Sequence, residues 1–147
     1  RLIVVDDKPQ FVLADAKRSA TGSAITLTQK DIRQLQLAKG SIRAAIRTLL
    51  KVAGSDESEL SELLLAGAFG NYIRKESAVR IGLAPDIPME RITPVGNAAG
   101  AGAKLALLSV KERRLAAELA ASAEHIELAN HPDYQDGFMD MMMFPVK

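Results

Sequence analysis

The residues best suited to contact a ligand are the glycines of the stretch Leu63 to Tyr72, which reads LLLAGAFGNY. An apolar run ends at Gly67, and a second break follows at Gly70 and Asn71. A short apolar run ended by glycine is typical of a buried strand that stops at a turn. Glycine has no Cβ, so backbone can approach a ligand there. The pattern predicts either a ligand-binding turn at the carboxyl edge of a sheet or a plain tight turn.

A second glycine-rich segment, GNAAGAGAK from Gly96 to Lys104, matches neither of two well-known phosphate-binding loops. A Walker A loop requires Gly-Lys followed by Ser or Thr, and the sequence has no such pair. The dinucleotide-binding fingerprint requires a third glycine, which is missing after Gly100 and Gly102. A bound nucleotide would therefore be held in another way.

Histidine and aspartate residues near the end of the chain offer only a weak metal signal. His125 and His131 precede Asp133, Asp136 and Asp140, but the His-Glu-x-x-His spacing of a zinc site is absent. Surface polar residues are the favoured interpretation. No Ser/His/Asp arrangement indicates a nucleophile, so we assign no catalytic residue and no metal ligand.

Composition narrows the class of protein. The 147 residues carry 19 basic and 18 acidic side chains, so neither nucleic acid nor an anionic membrane is an expected partner. The absence of cysteine excludes disulfides, zinc–thiolate sites and cysteine-held iron–sulfur clusters from these residues. No signal peptide or membrane span is visible. Because the first residue is Arg1 and not Met, we expect a fragment of a larger cytoplasmic protein.

The elements around the glycines predict an α/β domain. Residues 2–5 and 11–14 predict a β-hairpin, and 24–27 a third strand. Thr28 with Asp31 predicts a helix start and Gly54 a helix end, giving a helix over 29–53. Its apolar residues form a stripe that we expect to be buried: Ile32, Leu35, Ala38, Ile42, Ala45, Ile46, Leu49 and Leu50.

The same long helix carries four basic residues away from the apolar stripe: Arg33, Lys39, Arg43 and Arg47. A solvated face is the favoured interpretation of these charges. The alternative is the rim of a nucleotide site, formed by Gln36, Lys39, Gly40 and Arg43.

A second strand–glycine–helix unit follows the first. Helices are predicted over 75–81, 96–109, 111–123 and 133–142, and short strands over 92–95 and 126–128. Two successive units of this kind predict parallel strands joined by helical crossovers. The methionines near the end, at 139 and 141–143, are more typical of adaptable packing than of a cofactor site.

Five stretches follow one another in the order known from one protein family: DIRQLQLAKGSIRAAI (31–46), LLLAGAFGNYI (63–73), ESAVRIGLAPDIP (76–88), VGNAAGAGAKLALLS (95–109) and ELANHPDYQDGFM (127–139). Together they resemble the C-terminal domain of the ATP-dependent reductive activators of corrinoid proteins. The resemblance extends over most of the chain from Thr28 onward.

The resemblance implies the second lobe of an ATPase of the acetate-kinase, sugar-kinase, heat-shock-chaperone and actin superfamily. The expected fold is α/β and ribonuclease-H-like, a mixed sheet with an N-terminal β-hairpin, parallel strands and packing helices. We expect one domain fragment over 1–147, with a β-hairpin region at 1–27, a nucleotide-binding core at 28–109 and a helical extension at 110–147. The parent is expected to bind ATP with magnesium, and a missing N-terminal ferredoxin-like domain to carry an iron–sulfur cluster.

The resemblance also implies ligand contacts. The stretch 63–71 is similar to the superfamily's adenosine segment, so the residues implied to bind the cofactor are Gly67, Ala68, Phe69, Gly70 and Asn71. Ala-Gly-Ala stands here where many relatives have two adjacent glycines. The long helix resembles the one whose outer face borders the adenine, which favours Gln36, Lys39, Gly40 and Arg43. The stretch 96–107 resembles the helix that crosses its counterpart in the first lobe.

By the same resemblance, both phosphate loops lie outside this chain. We therefore expect the chain alone neither to hydrolyse ATP nor to transfer electrons, while the parent reduces a Co(II) corrinoid protein to Co(I). Expected partners are the corrinoid protein and the missing first lobe, with a homodimer as a further option. One alternative is an interaction module that docks through residues 139–144 and exposed loops. Another is half of a different ATP-dependent enzyme, such as a kinase.

Overall fold

An antiparallel sheet of three strands opens the chain in the computed structural model, which describes residues 1–146. Strands β1 (Leu2–Val5), β2 (Lys8–Ala14) and β3 (Ile25–Thr28) pair in that order. Asp6 and Asp7 form the hairpin turn with φ of 50° and 59°, a left-handed conformation that aspartate tolerates better than most residues. The predicted hairpin is confirmed, and β2 begins before the predicted residue.

Helix α1 (Gln29–Val52) begins and ends where the sequence signals place it. The Thr28 hydroxyl accepts a bond of 3.2 Å from the Asp31 amide, and the Asp31 carboxylate accepts one of 2.8 Å from the Thr28 amide. These reciprocal bonds are a capping box, which satisfies two amides that would otherwise lack partners. At the other end, Gly54 has a φ of +67° and turns the chain away.

We expect Asp31→Asn to lower the melting temperature at pH 7 and to lower it by less at pH 3. Bonds from the Thr28 hydroxyl and amide hold the pKa of Asp31 below its ordinary value of 3.8. Since the pKa is lower in the folded chain, the stabilisation is present above 3.8 and is lost as pH falls through the folded-state value. Thermal unfolding at both pH values tests this, with Glu118→Gln on an exposed helix face as the control. An Asp31→Asn effect of equal size at both pH values would contradict it.

The second half of the chain contains two strand–helix units with parallel strands. Strand β4 (Leu63–Ala66) leads into α2 (Gly67–Tyr72) and α3 (Lys75–Arg80), and β5 (Ile92–Gly96) leads into α4 (Ala98–Leu108). Strands β4 and β5 pair in parallel, as predicted, and form a sheet separate from the antiparallel one. Both strands therefore end at the same edge, directly before a helix.

The hydrophobic core lies between α3, the segment after it and β5. Its buried members are Ala78, Val79, Leu83, Ala84, Ile87 and Ile92. Leu63 and Leu65 of β4 pack against this cluster. The proline-containing segment 83–90 thus supplies core residues, and it helps to hold β4 and β5 in place.

The last two helices pack on earlier ones. Helix α5 (Val110–Ser122) contacts α4, and α6 (Pro132–Met142) contacts α1 along its length. The hydroxyls of Ser41 in α1 and Tyr134 in α6 are 2.9 Å apart. Residues 123–128 have no regular structure, so the strand predicted over 126–128 was wrong. No helix among residues 1–146 combines the length and apolarity needed to cross a bilayer.

The buried face of α1 differs from the predicted one. The face covered by α6 and the chain that follows it carries Lys39, Gly40, Ala44 and Thr48. Members of the predicted apolar stripe keep large exposed fractions: 39% for Leu35, 41% for Ile42 and 44% for Leu49. The prediction of a buried stripe was therefore wrong for this chain, because α6 packs on the neighbouring face, where small residues allow close approach.

Candidate functional site

Gly67 presents open backbone at the end of β4. Its φ is +83°, and no atom lies within 4 Å of the position that a Cβ would occupy. Helix α2 begins at Gly67 itself, so the break predicted at Gly67 is confirmed, and the second break predicted at Gly70 and Asn71 was wrong because both residues lie within the helix. A ligand can therefore approach the Gly67 backbone from the side on which other residues carry a side chain.

Gly70 has a different role from Gly67. It is buried, and a Cβ there would stand 2.5 Å from the carbonyl oxygen of Leu65 and 2.7 Å from its carbonyl carbon. Glycine at this position therefore lets α2 pack directly on the backbone of β4. The side chains of Ala68, Phe69 and Asn71, also predicted to bind the cofactor, lie outside the part of the chain that the structure describes.

An apolar groove of about 290 Å³ adjoins this junction. Gly70 lines it together with β4, Ile42 and Ile46 of α1, and Leu83 and Ala84. The long helix thus borders the glycine segment through two isoleucines of its apolar stripe. The α1 residues predicted for the nucleotide lie elsewhere on the helix.

Lys39 is almost completely buried, with an exposed fraction of 1%. Its ammonium group donates to the carbonyl oxygen of Met143 and lies 5.3 Å from the centroid of the Phe144 ring. Burial lowers the pKa of Lys39, and the charge of Arg43 lowers it further. The interpretation of a solvated basic face is therefore wrong for Lys39.

The other α1 candidates lie close to Lys39. Arg43 donates through both terminal nitrogens to Glu57, with Nη2 at 2.6 Å from Oε2, and its side chain is 14% exposed. Gly40 is buried under α6, where a Cβ would stand 2.9 Å from Cγ of Met142, and Gln36 is half-buried. Lys39 and Arg43 line a cleft of about 330 Å³ that shares Ala84 with the apolar groove.

A cleft of about 720 Å³ extends from Arg43 toward the end of α1, and sequence reasoning missed it. Its polar lining includes Arg47, Lys51, Asp56 and Glu57. A short 3₁₀ helix, Glu57–Glu59, lies in the segment that supplies the two carboxylates. No spacing rule connects Arg43 with a carboxylate fourteen positions away, so only the folded chain shows this pair.

His131 and Asp133, two of the polar residues considered for a metal, lie at the contact between α1 and α6. Asp133 forms an ion pair with Lys51, and Nδ1 of His131 is 3.9 Å from an Asp133 carboxylate oxygen. The bond from Lys51 lowers the pKa of Asp133. The Lys51–Asp133 pair connects α1 with α6, so Asp133 has a structural role at this contact.

Comparison with known sequences decides the family. The family described as the C-terminal domain of RACo, the ASKHA domain, matches residues 1–147. The chain belongs to this family. The resemblance of the quoted stretches is thereby confirmed, and it extends to the β-hairpin region before Thr28 as well.

This RACo-type ASKHA domain has curated relatives in a bacterium and an archaeon. The corrinoid activation enzyme RamQ of Eubacterium limosum is 39% identical over 142 residues, which are 95% of this chain and 24% of that protein. The [Co(II) methylated amine-specific corrinoid protein] reductase of Methanosarcina barkeri is 30% identical over 120 residues, 80% of this chain and 22% of that protein. The chain thus spans about a quarter of the length of these relatives.

A solved structure has the same fold as this ASKHA domain. It is described as a reductive activator for corrinoid, iron-sulfur protein, with a TM-score of 0.89 and 34% sequence identity. The match covers 99% of this chain and 23% of that one. The predicted α/β fold, with an antiparallel hairpin region and parallel strands, is confirmed.

Proposed function

We propose that this chain is the nucleotide-binding second lobe of an ATP-dependent iron–sulfur reductase, which returns a corrinoid protein from Co(II) to Co(I). The observation that carries the proposal is the family match over residues 1–147. The names of the relatives, a corrinoid activation enzyme and a Co(II) corrinoid protein reductase, support it. Since the chain spans about a quarter of these relatives, the electron-transfer steps belong to the rest of the parent.

The described residues fit a bound nucleoside at one point in particular. Open backbone at Gly67 leaves room that a side chain would fill, at the carboxyl edge of the β4–β5 pair. Gly67 contacts the nucleoside in this proposal, and Lys39 and Arg43 of α1 lie along the neighbouring side of the site. ATP with magnesium would supply the free energy for electron transfer to the low-potential corrinoid.

Other parts of the parent complete the reductase. The chain has no cysteine, so a cysteine-held iron–sulfur cluster lies outside it. Apolar side chains exposed on α4 and α5 support an interface with the first lobe: Leu105, Leu107, Leu108, Val110 and Leu119. In this proposal the isolated chain neither hydrolyses ATP nor transfers electrons, because the phosphate-binding loops belong to other parts of the parent.

A docking module for a corrinoid protein, or for a second copy of the chain, is the alternative. Met139 and Met143, which are 63% and 69% exposed, support a contact surface near the C-terminal end. Met141, Met142 and Phe144 are half-buried, so this surface is smaller than the range 139–144 suggested.

We expect Gly67→Val to weaken ADP and ATP binding by the full-length protein at least about tenfold, because it adds a branched side chain where the nucleoside approaches and strains a left-handed backbone. Calorimetric titration with magnesium present tests this. Gly22→Val is the matched control: Gly22 also has a positive φ, +69°, with no atom within 4 Å of a Cβ, but it lies in the β2–β3 loop.

Two results would count against the proposal. Unchanged nucleotide affinity in Gly67→Val would place the nucleoside elsewhere. No binding by the wild-type protein at millimolar nucleotide would favour the docking module.

A further inference from the structure

The chain after α6 covers α1 residues that the proposed function places near the nucleotide. We call residues 143–146 the C-terminal segment. The Lys39 ammonium donates to the Met143 carbonyl oxygen and lies 5.3 Å from the Phe144 ring centroid. With Lys39 only 1% exposed, no ligand reaches its ammonium group while the segment is in place.

Two glycines lie under the end of α6 and the C-terminal segment. A Cβ at Gly40 would stand 2.9 Å from Cγ of Met142, the last residue of α6, and a Cβ at Gly82 would stand 2.9 Å from Cγ of Pro145 in the segment. Gly82 also has a φ of +73°, which disfavours other residues. The segment therefore leaves α6 beside α1 and fits closely against the turn after α3.

The charge of Lys39 has only neutral partners in this arrangement. Asp86 and Asp140 line the same cleft as Lys39 and Arg43, yet among residues 1–146 no ion pair joins Lys39 to a carboxylate. A buried ammonium is stabilised more by an anion than by a carbonyl oxygen and a ring. Burial lowers the pKa of Lys39, in keeping with incomplete compensation of the charge.

Few local contacts hold the C-terminal segment to α6. Its backbone bond to that helix runs from the Met143 amide to the Asp140 carbonyl oxygen at 3.3 Å. Residues 143–146 have no regular structure, and Val146 is fully exposed. The segment can therefore move away from Lys39 while α6 stays helical and packed on α1.

We propose that the C-terminal segment is a latch that competes with the nucleotide for Lys39. When docked, it closes the α1 side of the site; when the phosphate-bearing ligand pairs with Lys39, the latch detaches. This inference rests on the proposed function, and it adds a means of regulating the same site.

Hydrogen–deuterium exchange and calorimetry on the full-length protein, with ADP and magnesium as the probe, test the latch. We expect saturating ADP to speed the exchange of amides in residues 143–146. Phe144→Ala should speed that exchange without ADP and tighten ADP binding roughly fivefold, since it removes the cation–π partner of the docked state. Val146→Ala, at a fully exposed position of the same tail, should match the wild type in both measurements.

Lys39→Met gives a second comparison, because it keeps the length of the side chain and removes the charge. It should weaken ADP binding, and saturating ADP should no longer speed exchange of the segment, because the charge that draws the ligand is gone. A Lys39→Met protein in which ADP binds and still speeds that exchange would contradict the latch.

The outcomes separate the latch from the proposed function. Unchanged or slower exchange at saturating ADP, in a protein that binds ADP, overturns the latch and leaves the proposed function standing. Binding by Phe144→Ala but not by the wild type supports both. No binding by either protein contradicts both.

Discussion

Gly70→Ala is expected to destabilise the chain by about 3 kcal/mol or more, at the upper end of the range for overpacked sites. The added Cβ would stand 2.5 Å from the Leu65 carbonyl oxygen and 2.7 Å from its carbon. Both are backbone atoms of β4, so no side-chain rotation relieves the overlap. Helix α2 must lift away from the strand, and the open backbone at Gly67 moves with it.

Chemical denaturation of the variant and two controls measures this effect. Gly102 in α4 and Gly137 in α6 are helical glycines with no atom within 4 Å of a Cβ. Alanine at either position should be neutral or stabilising by up to about 1 kcal/mol, the difference in helix propensity. A Gly70→Ala chain as stable as these controls would show that α2 does not pack on β4 in this way.

Ile92→Ala should lower the free energy of unfolding by about 2–5 kcal/mol, the usual range for a large aliphatic residue truncated in a core. Ile92 is 2% exposed and belongs to the cluster between α3 and β5. It also pairs with Leu63 at the start of β4. Its truncation therefore leaves a cavity beside β4, the strand that leads into Gly67.

Val95→Ala is the matched control for Ile92→Ala, since Val95 lies in the same strand and is 39% exposed. Its effect should stay below about 1 kcal/mol, because its side chain already keeps much of its contact with water. Urea unfolding curves compare the two variants. Equal losses would indicate that the β5 core contacts are not the source of stability.

The amino-acid sequence determined the helices and strands that are specified by residues close to one another in the chain. Thr28 and Asp31 are three residues apart, and their capping box begins α1 at the predicted residue. The parallel strands followed from two strand–glycine–helix units, because parallel pairing requires a crossover. The position of the open glycine, Gly67, followed from the end of an apolar run.

The tertiary structure determined which residues that are distant in the sequence contact and bury one another. Lys39 contacts Met143 from 104 positions away, so its burial has no local signal. The face of α1 that is buried depends on where α6 packs, and the small residues there carry no strong apolar signal. The sequence alone does not distinguish the environments of Gly67 and Gly70, since both are glycines of one short stretch. Only the fold leaves Gly67 facing open space and places Gly70 against the Leu65 backbone, because the chain turns at Gly67 and packs α2 back onto the end of β4.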